Sequence, residues 1–243
     1  MQTIRSNLFN GSFYLWSAFM VVLFSHALLL PYQVTIWGQR QWARGVNVLI
    51  AFTAGIHVEY RGLEYKPKGS AIIASKHQTA WDTLVCHIIL HDPAIILKRE
   101  LLLIPIYGWL CRKSRMIAVD RKAGPKALRA MLDMAKRAVE MRRPIVIFPQ
   151  GTRVSPGTLV KDFPYQPGVS ALYRMLDVPV VPVALNSGHF WPRRQFIRRP
   201  GTIILEFLQP IGPGLPRKEF DALLETRIEN ATKALETEAG VKK

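Results

Sequence analysis

The stretch AIIASKHQTAWDTLVCHIILH, residues 71–91, changes character half-way along. Residues 71–75 are a short apolar run of the length of a buried strand, and the polar turn 76–80 closes it. From Trp81 to about His91 the pattern reads as a helix. A strand that passes through a polar corner into a helix is a building unit of an α/β layered domain. The same corner carries His77 and Asp82, five residues apart, where the chain can fold back so that the carboxylate meets the imidazole. A carboxylate placed this way orients one ring nitrogen and makes the other a better base. Taken alone, H-x4-D is a weak pattern, because Asp is favoured near helix N-termini in any case.

Outward from this corner the alternation continues. Further β-rich runs cover 57–61, 94–97, 115–119, 145–148, 180–184 and 202–208, with helical stretches between several of them. Over 125–142 the apolar residues Leu128, Met131, Leu132, Ala135, Ala138 and Val139 fall on one side of a helix, and a second helix over 220–235 closes the chain. The expected fold is an α/β domain over 57–243.

Residues 1–56 differ. No Asp, Glu, Lys or Arg occurs from Ser6 to Gln39, and 8–30 is dense in apolar residues. That length matches the ~20 residues needed to cross a bilayer core. A second apolar run, 45–56, is short for a span and suits a re-entrant or interfacial helix. Trp16, Trp37 and Trp42 fit a membrane interface. The n-region holds a single Arg and no A-x-A site ends the apolar run, so a two-helix membrane anchor, spanning or monotopic, is expected over 1–56 rather than a signal peptide.

The chain has 243 residues, 33 Lys+Arg against 17 Asp+Glu, and a formal net charge of +16. Such a surface attracts polyanions. No DNA-reading module, zinc-finger spacing or RNP-like aromatic strand is present, so no nucleic-acid partner is expected, and the apolar runs beside basic residues point to an anionic membrane surface. Cys86 and Cys111 form no C-x-x-C pair and read as two reduced thiols. His87 and His91 have an i, i+4 spacing that can ligate metal, but six histidines are too few for a membrane di-iron enzyme, and a solvated helix face is the expectation.

Four more elements bear on chemistry. FPQGTR, residues 148–153, follows the buried-looking run IVIF; Gly151 permits close backbone approach to an anion, and the Arg153 guanidinium can hold a phosphate bidentately. AVDR, 118–121, is a strand end followed by Arg121, and KRELLLIPIYG spans 98–108. VPVVPV, 178–183, carries Pro179 and Pro182 and so reads as an edge or bent strand.

In this order and spacing, the H-x4-D pair, the strand-ending Arg, FPxGTR and VPVVPV resemble the lysophosphatidic acid acyltransferases, the 1-acyl-sn-glycerol-3-phosphate acyltransferases of bacterial type, over about 72–183. The resemblance implies a glycerolipid-acyltransferase-like α/β sandwich with an N-terminal apolar helical membrane element. It implies His77 as general base and Asp82 as its orienting partner. Arg121, Gly151, Thr152, Arg153 and Lys98 match positions toward the acceptor phosphate, and Pro182 matches the last motif. It implies an acyl thioester donor, acyl-CoA or acyl carrier protein, and a lysophospholipid acceptor, with no cofactor and no metal. It implies location at the bacterial inner membrane with the catalytic domain on the cytoplasmic side. Two positions depart from the family pattern: Lys76 where Asn is usual, and Gln150 where Glu is usual. Three rival readings are distinguishable: a family member acting on a lysolipid without phosphate, such as lyso-ornithine lipid, a non-catalytic membrane-binding protein, and a metal-dependent membrane oxidase.

Overall fold

A computed structural model describes residues 1–120 and 123–240. Seven strands among the described residues form one mixed sheet: β1 (Ile56–Arg61), β2 (Ile72–Ser75), β3 (Ala94–Lys98), β4 (Ile117–Val119), β5 (Ile145–Ile147), β6 (Val180–Leu185) and β7 (Gly201–Phe207). Their spatial order is β1-β7-β6-β2-β5-β3-β4. The five strands from β6 to β4 run parallel to one another. β7 is antiparallel to β6, and β1 is parallel to β7.

The parallel strands read as uninterrupted apolar runs because both faces of the sheet are covered. Their period of two still divides the core. Ile72 and Ala74 of β2, with Ile145 and Ile147 of β5, join a cluster with Met131, Leu132, Ala135 and Ala138 of α5 (Gly124–Glu140). Helices α6 (Gly168–Leu176) and α8 (Arg217–Glu238) close the same face through Leu172, Phe220, Leu224 and Ile228. Ile73, Val146 and Val181 point to the other face and pack with Trp81 and Val85 of α3 (Trp81–Ile89) and Phe190 of α7 (Ser187–Phe190). On α5, Leu128 and Val139 lie partly buried at the margin of their cluster, so the expected apolar side of that helix is the one it buries.

The N-terminal segment forms a helical hairpin, α1 (Gln2–Leu23) and α2 (Tyr32–Leu49), joined by the 3₁₀ turn Phe24–Leu28. Gln2–Leu28 is a helical run of 27 residues whose most apolar 18-residue stretch has a mean hydropathy of 1.5, long and apolar enough to cross a membrane. The second apolar run does not make a separate interfacial helix. It completes α2 and continues as a π-helical turn, Ile50–Ala54, ended by Gly55 at φ +69°. The reason is its four-residue spacing: Val46, Ile50 and Ala54 form one stripe that packs into the core with Phe9 and Trp81, while Val48 and Phe52 stay exposed.

VPVVPV is also placed differently from the expectation of an edge. β6 lies inside the sheet, between β7 and β2. Pro182 is tolerated there because its missing donor falls at the end of the β6–β7 ladder. Its carbonyl still accepts from Leu208 N–H at 2.9 Å, and the paired residues begin only at Val183.

Candidate active site

In open α/β sheets, sites form beyond the carboxyl ends of the strands, and this chain follows that rule with its parallel strands. β2 runs into His77, β5 into 148–153, β3 ends on Lys98 and β6 runs into Ser187. The sheet order therefore sets Ser187, His77, the 148–153 loop and Lys98 side by side. α4 (Tyr107–Lys113) follows the loop after Lys98.

The corner closes as the spacing suggests. His77 Nδ1 lies 2.9 Å from Asp82 Oδ2. A carboxylate only accepts, so Nδ1 carries the proton and Nε2 is the basic nitrogen. Asp82 sits in the first turn of α3, fully enclosed. The same Oδ2 accepts the N–H groups of Gln78 and Thr79 at 2.6 and 2.7 Å. Its Oδ1 accepts the hydroxyls of Thr79 at 2.9 Å and Ser187 at 2.5 Å. Both oxygens are thus committed, and the carboxylate has one orientation in which to meet the imidazole. On its other side the imidazole stacks on Phe148, with ring centroids 4.0 Å apart and planes at 21°. Val154 N–H donates to the His77 carbonyl at 2.8 Å, tying the 148–153 loop to the His77–Asp82 corner.

His77 opens on a cavity of about 1050 Å³, at the upper end of the ~300–1,000 Å³ usual for ligand sites. Its apolar lining includes Phe13 and Met20 of α1, Leu84 of α3 and Leu128 of α5. Lys98, Gly151, Thr152, Arg153 and Arg193 line it as well. Gly151 takes φ +67°, a left-handed conformation that a side chain would strain. Lys98 and Arg153 are exposed at the rim. Arg193 Nη1 donates to the Arg153 carbonyl at 2.6 Å, and partial burial together with the charges of Arg194 and Arg153 pulls its pKa below the usual arginine value. One cavity thus holds a base, an apolar lining and exposed cationic side chains.

Residues 57–186, more than half of the chain, match the family model described as Acyltransferase. The chain belongs to the acyltransferase family. It is 33% identical over 208 residues to the 1-acyl-sn-glycerol-3-phosphate acyltransferase of Pseudomonas aeruginosa, covering 84% of this chain and 79% of that protein. It is 31% identical over 180 residues to the human 1-acyl-sn-glycerol-3-phosphate acyltransferase alpha, covering 72% and 62%. The crystal structure of the 1-acyl-sn-glycerophosphate acyltransferase PlsC from Thermotoga maritima superposes with a TM-score of 0.80 over 97% of this chain and 98% of that one, at 20% identity, a likeness of fold. The apolar N-terminal helix and the bacterial relatives are consistent with membrane association of this acyltransferase.

Of the residues singled out in the sequence, His77, Asp82, Lys98, Gly151, Thr152 and Arg153 converge on this one site; Arg121 lies outside the described residues. Gln150 is buried, and its Nε2 donates to the Phe163 carbonyl at 3.0 Å, a bond that a glutamate could not make. The histidine pair does not form a ligand set: α3 ends at Ile89, so His91 lies beyond it, exposed. His87 is buried rather than on a solvated face, and burial with the Arg40 charge pushes it down to about 4, leaving it neutral. No cluster of three potential metal ligands occurs among the described residues. Burial pushes the Cys86 and Cys111 thiols up to about 12 and about 11, which removes them as nucleophiles.

Three contributors escaped the sequence reading. In the sequence Phe148 reads only as the residue that leads a strand into a loop. Arg193 comes from WPRR at 191–194, where a basic pair is the sole signal. Ser187 had a better signal, since Asn186 and Ser187 stand at the carboxyl end of a wholly buried strand.

Proposed function

We propose that the protein transfers an acyl group from an acyl thioester, acyl-CoA or acyl carrier protein, to the sn-2 hydroxyl of 1-acyl-glycerol-3-phosphate, making phosphatidic acid. The carrying observation is that the Asp82-oriented His77 lines the same cavity as Lys98, Arg153 and the apolar side chains of α1, α3 and α5. A lysophospholipid has the matching form, a chain, a free hydroxyl and a phosphate in sequence. Nε2 takes the hydroxyl proton as the oxygen attacks the thioester carbonyl. The C–S bond then breaks, and the leaving thiolate takes the proton back from Nε2. Asp82 stabilises the imidazolium between the two transfers. No acyl-enzyme is needed, since the acceptor oxygen is the nucleophile.

Turnover is read as free thiol released from acyl-CoA or acyl carrier protein with lysophosphatidic acid. Arg153→Ala should chiefly raise the acceptor KM, about 10-fold or more, since a charged hydrogen bond to a phosphate contributes roughly 1.5–3 kcal/mol. An unchanged KM would remove the phosphate-clamp role and favour a phosphate-free acceptor such as lyso-ornithine lipid.

The hairpin supports attachment to one face of the membrane, and the family resemblance implies that the catalytic domain is on the cytoplasmic side. Both ends of α1 are bound to the catalytic domain. Near its start Gln2 Nε2 donates to the Arg198 carbonyl at 3.2 Å and Ser6 Oγ accepts Arg198 N–H at 2.8 Å, and past its end Lys113 Nζ donates to the Leu28 carbonyl at 2.8 Å. A helix tied at both ends to one body cannot cross the bilayer. It lies along the surface with Ile4, Leu8, Leu15, Phe19 and Val22, its exposed stripe, toward lipid. Single cysteines at position 1 and at position 30 should react with an impermeant thiol reagent from the same side of sealed vesicles. Labelling from opposite sides would mean that α1 spans.

A further inference from the structure

Both residues that flank His77 are gripped from behind by α8. Lys76 is 4% exposed, and its Nζ lies 2.8 and 2.7 Å from the two carboxylate oxygens of Glu229. Tyr165 Oη donates to the same carboxylate at 2.9 Å. On the other flank Gln78, fully buried, donates through Nε2 to Glu236 Oε1 at 2.6 Å and accepts Gly188 N–H on Oε1 at 2.8 Å. The second oxygen of Glu236 accepts Gly157 N–H at 3.1 Å. Glu229 and Glu236 are seven residues apart, close to two helical turns, so both carboxylates leave one face of α8.

A buried ion pair loses hydration that its attraction about offsets, so an apolar pair would serve stability equally well. What charge and hydrogen bonds add is direction. We propose that Glu229 and Glu236 are positioning residues for acyl transfer. They hold the backbone on both sides of His77, so that Nδ1 meets Asp82 and Nε2 faces the cavity. The Glu236 branch also reaches Asp82 from behind, because Gln78 holds Gly188, the neighbour of Ser187, whose hydroxyl donates to Asp82. In this chain the Lys76–Glu229 pair supplies the support at the position where the family resemblance leads one to expect Asn. The proposal rests on His77 acting as the base.

The test measures kcat, acceptor KM and melting temperature of the full-length protein in detergent–lipid micelles. Glu229→Gln alone leaves the Lys76 ammonium buried without its counter-charge. The double variant Lys76→Met/Glu229→Gln removes both charges, and the new amide still accepts the Tyr165 hydroxyl. The double variant should melt close to the native protein yet lose kcat by ~10-fold or more at unchanged KM, since a misplacement of ~1 Å can cost ~10²-fold. Glu236→Ala should lower kcat in the same way, and Glu236→Gln, which keeps an acceptor for Gln78, should recover most of it. Native kcat in both the folded double variant and Glu236→Ala would overturn the proposal. Failure of the double variant to fold would do so too, assigning the pair to structure. Absence of turnover in the native protein would instead overturn the reading of His77, so the two failures are separable.

Discussion

Replacing His77 with alanine is expected to lower kcat by roughly 10²–10⁴-fold, the range supplied by a positioned general base, or about 3–5 kcal/mol of barrier. The acceptor KM should change little. The cationic rim formed by Lys98 and Arg153 and the apolar lining from α1, α3 and α5 remain in place when the imidazole is gone. The side chain is partly exposed at the cavity, with 14% of its surface accessible, and its loss leaves the Asp82 carboxylate with its two N–H and two hydroxyl donors. Folding should therefore survive, and near-ultraviolet circular dichroism would verify it. Thiol release with lysophosphatidic acid is the readout, and near-native turnover in folded His77→Ala would sink the mechanism. The same measurement separates a catalyst from a membrane-binding protein of this fold, for which His77 would be dispensable.

That experiment addresses the part of the site that local sequence could reveal. His77 and Asp82 are close along the chain, and one strand–turn–helix corner brings them together. The strands were legible for a related reason: buried parallel strands are short, apolar and bounded by polar turns. Partner choice is another matter. VPVVPV announces a strand with two prolines, yet its central position follows from β7 and β1 adding beyond it, which no local pattern encodes. The run 45–56 looked interfacial by length, but its stripe of Val46, Ile50 and Ala54 is buried against Phe9 and Trp81, residues well removed along the chain.

The departure at Lys76 shows the same limit more sharply. Seen in the sequence, a lysine beside the candidate base His77 is an unexplained charge. In the fold it is neutralised by Glu229, 153 residues later, on a helix whose pattern shows only that it closes the chain. Gln150 is a smaller instance, since its amide is needed for a carbonyl at Phe163 that only the folded loop presents. Residues that act through short corners can be read from order and spacing; those that act across the sheet require the topology.

Asp82→Asn should be nearly as damaging as loss of the base, with the corner still folded. An asparagine fits the same space. With its carbonyl oxygen in the place of Oδ2 it can accept from His77 Nδ1–H, Gln78 N–H and Thr79 N–H, as Oδ2 does now. Its amide then faces the hydroxyls of Thr79 and Ser187, which can turn to accept. The imidazole keeps its place and loses the negative charge that stabilises its protonated form between the two proton transfers. A fall in kcat of up to about 10⁴-fold is expected, the full loss applying where the amide nitrogen instead turns to Nδ1 and fixes the wrong tautomer. The acceptor KM should be unchanged, because Asp82 is fully enclosed and does not line the cavity. Ser187→Ala makes the companion measurement. It removes one donor to Oδ1 and leaves the charge, so its loss in kcat should be much smaller than that of Asp82→Asn. Equal losses would mean that Asp82 acts through geometry alone.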